Sequence, residues 1–113
     1  MMNCISFDFD GVLDIEPENN TTLIALITAL KSQYHIVCIT SRRPSACDGR
    51  FWARLQQYGI TTWYATESKV ELIKELKIIA HFDDDLHEVY QINSQLSGVA
   101  ILLNWNQLEV HGD

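Results

Sequence analysis

Two carboxylates stand two residues apart in Phe7-Asp8-Phe9-Asp10-Gly11-Val12-Leu13, where an apolar run ends at a glycine that lets the backbone turn sharply. Ionised carboxylates about 4 Å apart repel by roughly 4 kcal/mol at an effective dielectric near 20, so both stay charged only beside a cation. A lone DxDG more often makes an Asx-type turn. An EF-hand is a poor fit, because the glycine directly follows the second aspartate and no glutamate closes the loop.

Three further groups give this pair company. Thr40 ends the apolar run His35 to Thr40 and is followed by Ser41, Arg42 and Arg43. Hydroxyls, loop N–H groups and guanidinium forks all suit phosphate oxygens, although a threonine in that place also caps turns. Lys69 opens a helix ahead of the acidic triplet, where an ammonium can neutralise both Asp8 and a bound phosphoryl group; Lys74 and Lys77 compete for that role. Phe82-Asp83-Asp84-Asp85 offers hard oxygen ligands of the kind Mg²⁺ prefers, and acids at a helix start also favour the dipole.

The elements that must position these residues read as alternating strands and helices. Asn3 to Phe9 is a short apolar strand, and Asn20 or Thr21 caps a helix in which Leu23, Leu26, Ile27 and Leu30 share a face. His35 to Thr40 makes a second strand. The polar stretch Ser41 to Gly49 leads to a helix over Arg50 to Tyr58, closed by Gly59. Thr61 to Ala65 is a third strand, and Ser68 and Lys69 begin a helix with Val70, Ile73 and Leu76 on one stripe. Ile78 to Phe82, a helix over Leu86 to Ile92, and Val99 to Leu103 complete the series. This alternation predicts an α/β fold, a doubly wound, Rossmann-like sheet of five parallel strands in a single domain over residues 1–113. Ligands then bind beyond the carboxyl ends of the strands, where Asp8, Asp10, Thr40 and the triplet all fall.

Composition narrows the classes. With 113 residues, 47% of them hydrophobic, the chain has room for one adequate core. No stretch nears the roughly 18 apolar residues of a membrane span, and Asp8 comes too early for a signal peptide. A soluble, cytoplasmic protein with no membrane partner is expected. Fifteen acidic against eight basic side chains give a net charge of −7, which disfavours nucleic acid as a partner unless the basic residues gather on one face. Cys4, Cys38 and Cys47 form no CxxC pair and read as free, buried thiols. Trp52, Trp63 and Trp105 read as core or edge packing rather than stacking platforms, and His35, His81, His87 and His111 show no ligand spacing.

In the order DxDGVL, strand-Thr, Lys, strand-DD, the four groups resemble the motif set of the haloacid dehalogenase (HAD) superfamily, from Asp8 through Asp84. The resemblance implies a phosphatase in which Asp8 attacks phosphorus to form an aspartyl phosphate. Asp10 then protonates the leaving group and afterwards activates water. Thr40 and Lys69 hold the phosphoryl oxygens and the charge of the intermediate, with Gly11, Ser41 and Arg42 completing the substrate loop. Mg²⁺ is bound by Asp8, by the backbone carbonyl of Asp10 and by Asp84, with Asp83 as ligand or support. The short loops imply a capless member acting on a phosphorylated substrate, with an oligomer as one source of a lid. Two other readings stand beside it, a receiver-like phosphorylation switch and a HAD-like metal-binding domain of little activity.

Overall fold

The central apolar runs become parallel strands buried on both faces, and the periodic segments between them become the covering helices. The computed structural model describes residues 2–104; Trp105 and His111 lie outside the described residues. In chain order the elements are β1 (Cys4–Phe7), α1 (Thr21–Lys31), β2 (His35–Thr40), α2 (Gly49–Gln57), β3 (Trp63–Ala65), α3 (Lys69–Leu76), β4 (Ile78–Asp83), α4 (Leu86–Gln95) and β5 (Ala100–Leu102). The sheet order is β3-β2-β1-β4-β5 and every pairing is parallel. This is the α/β, Rossmann-like sheet expected from the alternation, and no second domain is inserted among the described residues. The chain runs outward from β1 to β3 and then returns to the other side of β1, so its direction reverses between β1 and β4. The crevice of a doubly wound sheet opens at that reversal, at the carboxyl ends of the strands.

Alternate residues of each strand feed two cores. Ile5, Phe7, Ile36 and Cys38 pack with Leu23 and Ile27 of α1 and with Phe51 and Leu55 of α2. Val37 and Ile39 face the other way, toward Ile73 of α3 and Val89 and Ile92 of α4. Side-chain caps fix three helix starts. Asn20 accepts from the Leu23 N–H at 3.1 Å, Asp48 from the N–H groups of Arg50 and Phe51, and Asp85 from those of His87 and Glu88. The last member of the acidic triplet is thus the cap of α4.

Several bounds differ from the sequence reading. β1 stops at Phe7 rather than Phe9, because the chain turns sharply at Asp10 (φ −68°, ψ 127°) and Gly11 (φ +80°). β3 begins at Trp63, and β4 runs one residue further to Asp83, so that this aspartate belongs to the sheet. Cys38 and Cys47 are buried and Cys4 is half-buried, all three free, and burial pushes the Cys38 thiol up, away from reactivity. Trp63 sits half-buried on the edge strand, but Trp52 is 54% exposed, because its neighbour Phe51 takes the inward place on α2. No described helix is long and apolar enough to cross a membrane.

Candidate functional site

Asp8 leaves the sheet one residue past β1, its N–H still bonded to the Phe82 carbonyl at 2.9 Å. The side chain is nearly buried between β1 and β4, where an ionised carboxylate needs a partner. That partner is Lys69, the first residue of α3, itself buried. Its Nζ lies 2.9 Å from Asp8 Oδ1 and 3.0 Å from Asp83 Oδ2. Lys74 and Lys77, the competing lysines, are exposed further along. Burial works against the charge on Lys69, but Asp8 and Asp83 outweigh it and hold its pKa above the ordinary value.

Asp83 is fully buried and accepts three hydrogen bonds. Lys69 and His81 Nε2 converge on Oδ2, each at 3.0 Å, and the Asp85 N–H donates to Oδ1 at 3.0 Å. Burial pushes its carboxyl up, yet the bond from His81, the charge of Lys69 and the backbone donor together hold it down at about 2. Asp8 has fewer donors, so burial dominates and raises it to about 7 against the pull of Lys69. Behind Asp83, His81 Nδ1 lies 2.7 Å from Ser6 Oγ. Burial lowers the His81 pKa, which keeps the ring neutral. An ionised Asp83 only accepts, so the ring proton sits on Nε2 and Ser6 donates its hydroxyl to Nδ1. Ser6, His81, Asp83, Lys69 and Asp8 therefore form one buried hydrogen-bonded chain.

Asp84 is exposed and leans over the turn at Gly11. A Cβ added at Gly11 would overlap its carboxylate, so the residue that turns the chain at φ +80° also leaves room for this acid. Burial and then the neighbouring Asp83 raise the pKa of Asp84. One ligand atom from each of Asp8, Asp83 and Asp84 falls within 4.8 Å of the others. All are hard oxygens, a donor set that fits Mg²⁺. Asp84 is the exposed one of the three, whereas Asp83 is fully buried and already serves three donors. The cleft holds 390 Å³ and is lined by Asp8, Asp10, Gly11, Ser41, Lys69 and Asp84 among others, including Asp85 and Glu88.

The loop after β2 is arranged differently from the simplest reading of its residue types. Thr40 is fully buried and its Oγ1 accepts the Arg42 N–H at 3.1 Å, while Ser41, one residue on, is exposed and lines the cleft. Arg42 grips the Asp10 carboxylate through Nε and Nη2, with the closest approach 2.8 Å, and gives Nη1 to the Ala46 carbonyl. The guanidinium also lies over the Phe9 ring, 4.7 Å from its centre. Both arms of the fork that suits a phosphate are thus engaged within the protein. Asp10 holds its place at the cleft edge by this pair.

Asp8, Asp10, Gly11, Ser41, Lys69, Asp83 and Asp84 are brought to one end of the sheet, with Thr40 beneath them and Arg42 beside them. Ser6 is not singled out by the sequence, and His81 is set aside there for want of ligand spacing. The signal for them was parity: His81 and Asp83 are two apart on one strand, and Ser6 pairs with His81 across the ladder. No family model, no curated protein and no solved structure matches the chain.

Proposed function

We propose that the chain is a Mg²⁺-dependent phosphohydrolase of the HAD type, acting through an aspartyl phosphate on Asp8. The observation that carries this reading is Lys69 held between Asp8 and Asp83 at the reversal point of the sheet, with Asp84 across the same cleft. Lys69 fixes the Asp8 carboxylate through Oδ1 and leaves its other oxygen for attack on phosphorus. As the Asp8–phosphorus bond forms, the ester P–O bond breaks and the leaving oxygen takes a proton from Asp10. Water then attacks the aspartyl phosphate, giving its proton to Asp10, and inorganic phosphate departs with Asp8 restored. The Arg42 pair opens while Asp10 carries that proton. Ser41 and the loop N–H groups face the phosphoryl oxygens, with Thr40 holding the loop from below. Asp8, Asp84 and the Asp10 carbonyl, with Asp83 as support, would hold Mg²⁺, which when bound would supply charge stabilisation of the phosphoryl oxygens. The proposed setting is the cytoplasm, where three thiols stay reduced.

A receiver-like switch would also use Asp, Thr and Lys at strand ends, but that fold has strand order 2-1-3-4-5 with its switch point between the first and third strands. Here the order is β3-β2-β1-β4-β5, and a second acid follows the nucleophile. The test is hydrolysis of a generic aryl phosphate with and without Mg²⁺. Wild type turns over only with the metal, Asp8→Asn is inactive but folded, and Asp10→Asn is slowed by roughly 10² to 10⁴-fold, with good leaving groups partly rescued. Uptake of a single phosphate at Asp8, released no faster than in Asp10→Asn, would overturn hydrolysis in favour of the switch. Metal binding without turnover would leave only the weak metal-binding domain.

A further inference from the structure

All four arginines of the chain, Arg42, Arg43, Arg50 and Arg54, fall in one segment from the end of β2 through α2. Between residues 41 and 66 they face a single acid, Asp48, a balance of +3; the remainder carries fourteen acids and four lysines, a balance of −10. A chain of net −7 has thus gathered its arginines beside the cleft. Arg42 is spent on Asp10, and Arg54 turns to the Asp14 carbonyl and Gln57, with Glu16 at 3.9 Å. Arg43 and Arg50 are both exposed, and neither side chain has a carboxylate partner among the described residues. Both lie where the chain leaves the carboxyl end of β2 and enters α2, at the same end of the sheet as Asp8.

Aromatic rings continue this surface. The Arg42 guanidinium lies 5.9 Å from the Phe51 ring centre; Phe51 meets Trp63 edge-on at 5.2 Å, and Trp63 meets Trp52 at 6.3 Å. Trp52 stands in the first turn of α2, 54% exposed, over a hollow of 240 Å³ whose lining includes Leu55, Ile60 and Trp63. Packing accounts for Phe51 and for the inner edge of Trp63. It does not account for an indole left open to solvent two residues past the exposed Arg50. Cationic groups that track a backbone, alternating with flat rings that accept bases, are the chemistry of single-stranded nucleic-acid binding.

We infer that α2, the loop before it and the edge strand β3 bind a short single-stranded nucleic acid, one base stacking on the exposed face of Trp52, which Trp63 supports from behind, and adjacent phosphates meeting Arg43 and Arg50. The strand's terminal phosphate then lies in the carboxylate cleft, a substrate assignment that rests on the hydrolase reading above. The acidic remainder repels any longer or double-stranded polyanion, which restricts the surface to strand ends.

The test uses the full chain and a fluorescein-labelled oligothymidylate of roughly eight nucleotides carrying a terminal phosphate. Binding is read by anisotropy over a salt series, and phosphate release is compared with that from glycerol 2-phosphate, which has no ring to stack. Trp52→Ala is expected to weaken strand binding by about 5- to 100-fold and Trp52→Phe to restore most of it. Arg43→Gln with Arg50→Gln is expected to reduce the slope of log affinity against log salt by about 1.4. Affinity unmoved by either change, or a dimer lost in Trp52→Ala with strand binding intact, overturns the inference. The hydrolase reading fails separately. A strand that binds in this manner while neither ester releases phosphate sinks hydrolysis and keeps the surface, and release from both esters without strand binding does the reverse.

Discussion

In the proposed mechanism two demands oppose each other at Asp8. A nucleophile must be ionised, yet the position is nearly buried, and one ammonium shared with Asp83 does not fully offset the loss of water. The consequence is a signed dependence of stability on pH. Asp8 shifts from 3.8 to about 7 on folding, so between those values the native state holds a proton that the unfolded state has released, and ionising Asp8 destabilises the fold as pH rises. Asp83 acts in the opposite sense and in a lower window, because its pKa falls from 3.8 to about 2; the stability it contributes is complete above 3.8 and is lost as pH falls through 2. Asp8→Asn, which cannot ionise, is therefore expected to be more stable than wild type in the absence of metal near pH 8, by about 1–3 kcal/mol, and to differ little near pH 4. Thermal melts in chelator at the two pH values decide it. A variant equal to or weaker than wild type near pH 8 would show that Lys69 fully supports the charged carboxylate.

The strands decide which residues can reach this charge. Along β1 the register with β4 passes from Cys4↔Ile78 to Ile5↔Ala80, so β4 advances by two residues where β1 advances by one. Past that irregularity Ala80 and Phe82 join the core under α1 and α2, while His81 and Asp83 turn to the side from which α3 delivers Lys69. Ser6, opposite His81, faces the same way. If the register sets this relay, its members act as a unit. Ser6→Ala and His81→Leu are each expected to cost about 1–3 kcal/mol in urea unfolding, because each strands a buried polar group. The double variant should cost less than their sum by at least about 0.5 kcal/mol. Strict additivity would mean that the two side chains are independent. This relay also marks where sequence reading stopped. Asp8, Thr40 and Asp83 were legible because each ends an apolar run, and Lys69 because it opens a helix. Ser6 and His81 were not, since a strand's parity is hidden until its register is known. The Arg42–Asp10 pair depends on the path of a loop, which residue types leave open. Trp52 turns on a single step of helix phase relative to Phe51.

Over the whole molecule, the strand order brings together groups that are distant in the chain: Asp8 from the centre of the sheet, Asp84 from beyond the neighbouring strand, and the Gly11 turn between them. Negative charge concentrated at one end of a molecule of net −7 opposes folding unless a cation meets it. If Mg²⁺ is that cation, as proposed, its binding to the folded state alone is a stabilising linkage, worth about 2.7 kcal/mol at a hundredfold excess over Kd. Because Asp8 must lose its proton to serve as a ligand, and holds that proton up to about 7, the stabilisation should grow as pH rises through 7 and nearly vanish well below it. Asp84→Asn is expected to remove most of the Mg²⁺-induced rise in Tm. Gly11→Ala acts on the same quantity from the other side, since its Cβ would occupy the space of the Asp84 carboxylate and its φ is one that alanine rarely adopts. That variant should lose both intrinsic stability and the response to Mg²⁺, whereas Asp84→Asn, relieved of repulsion from Asp83 and Asp85, should lose only the response. Melting curves of the three proteins with and without Mg²⁺, at a pH above and a pH below 7, separate these effects. A Mg²⁺ response undiminished in Asp84→Asn would move the cation away from the crevice between β1 and β4, and the assignment of these carboxylates as its ligands would have to be given up.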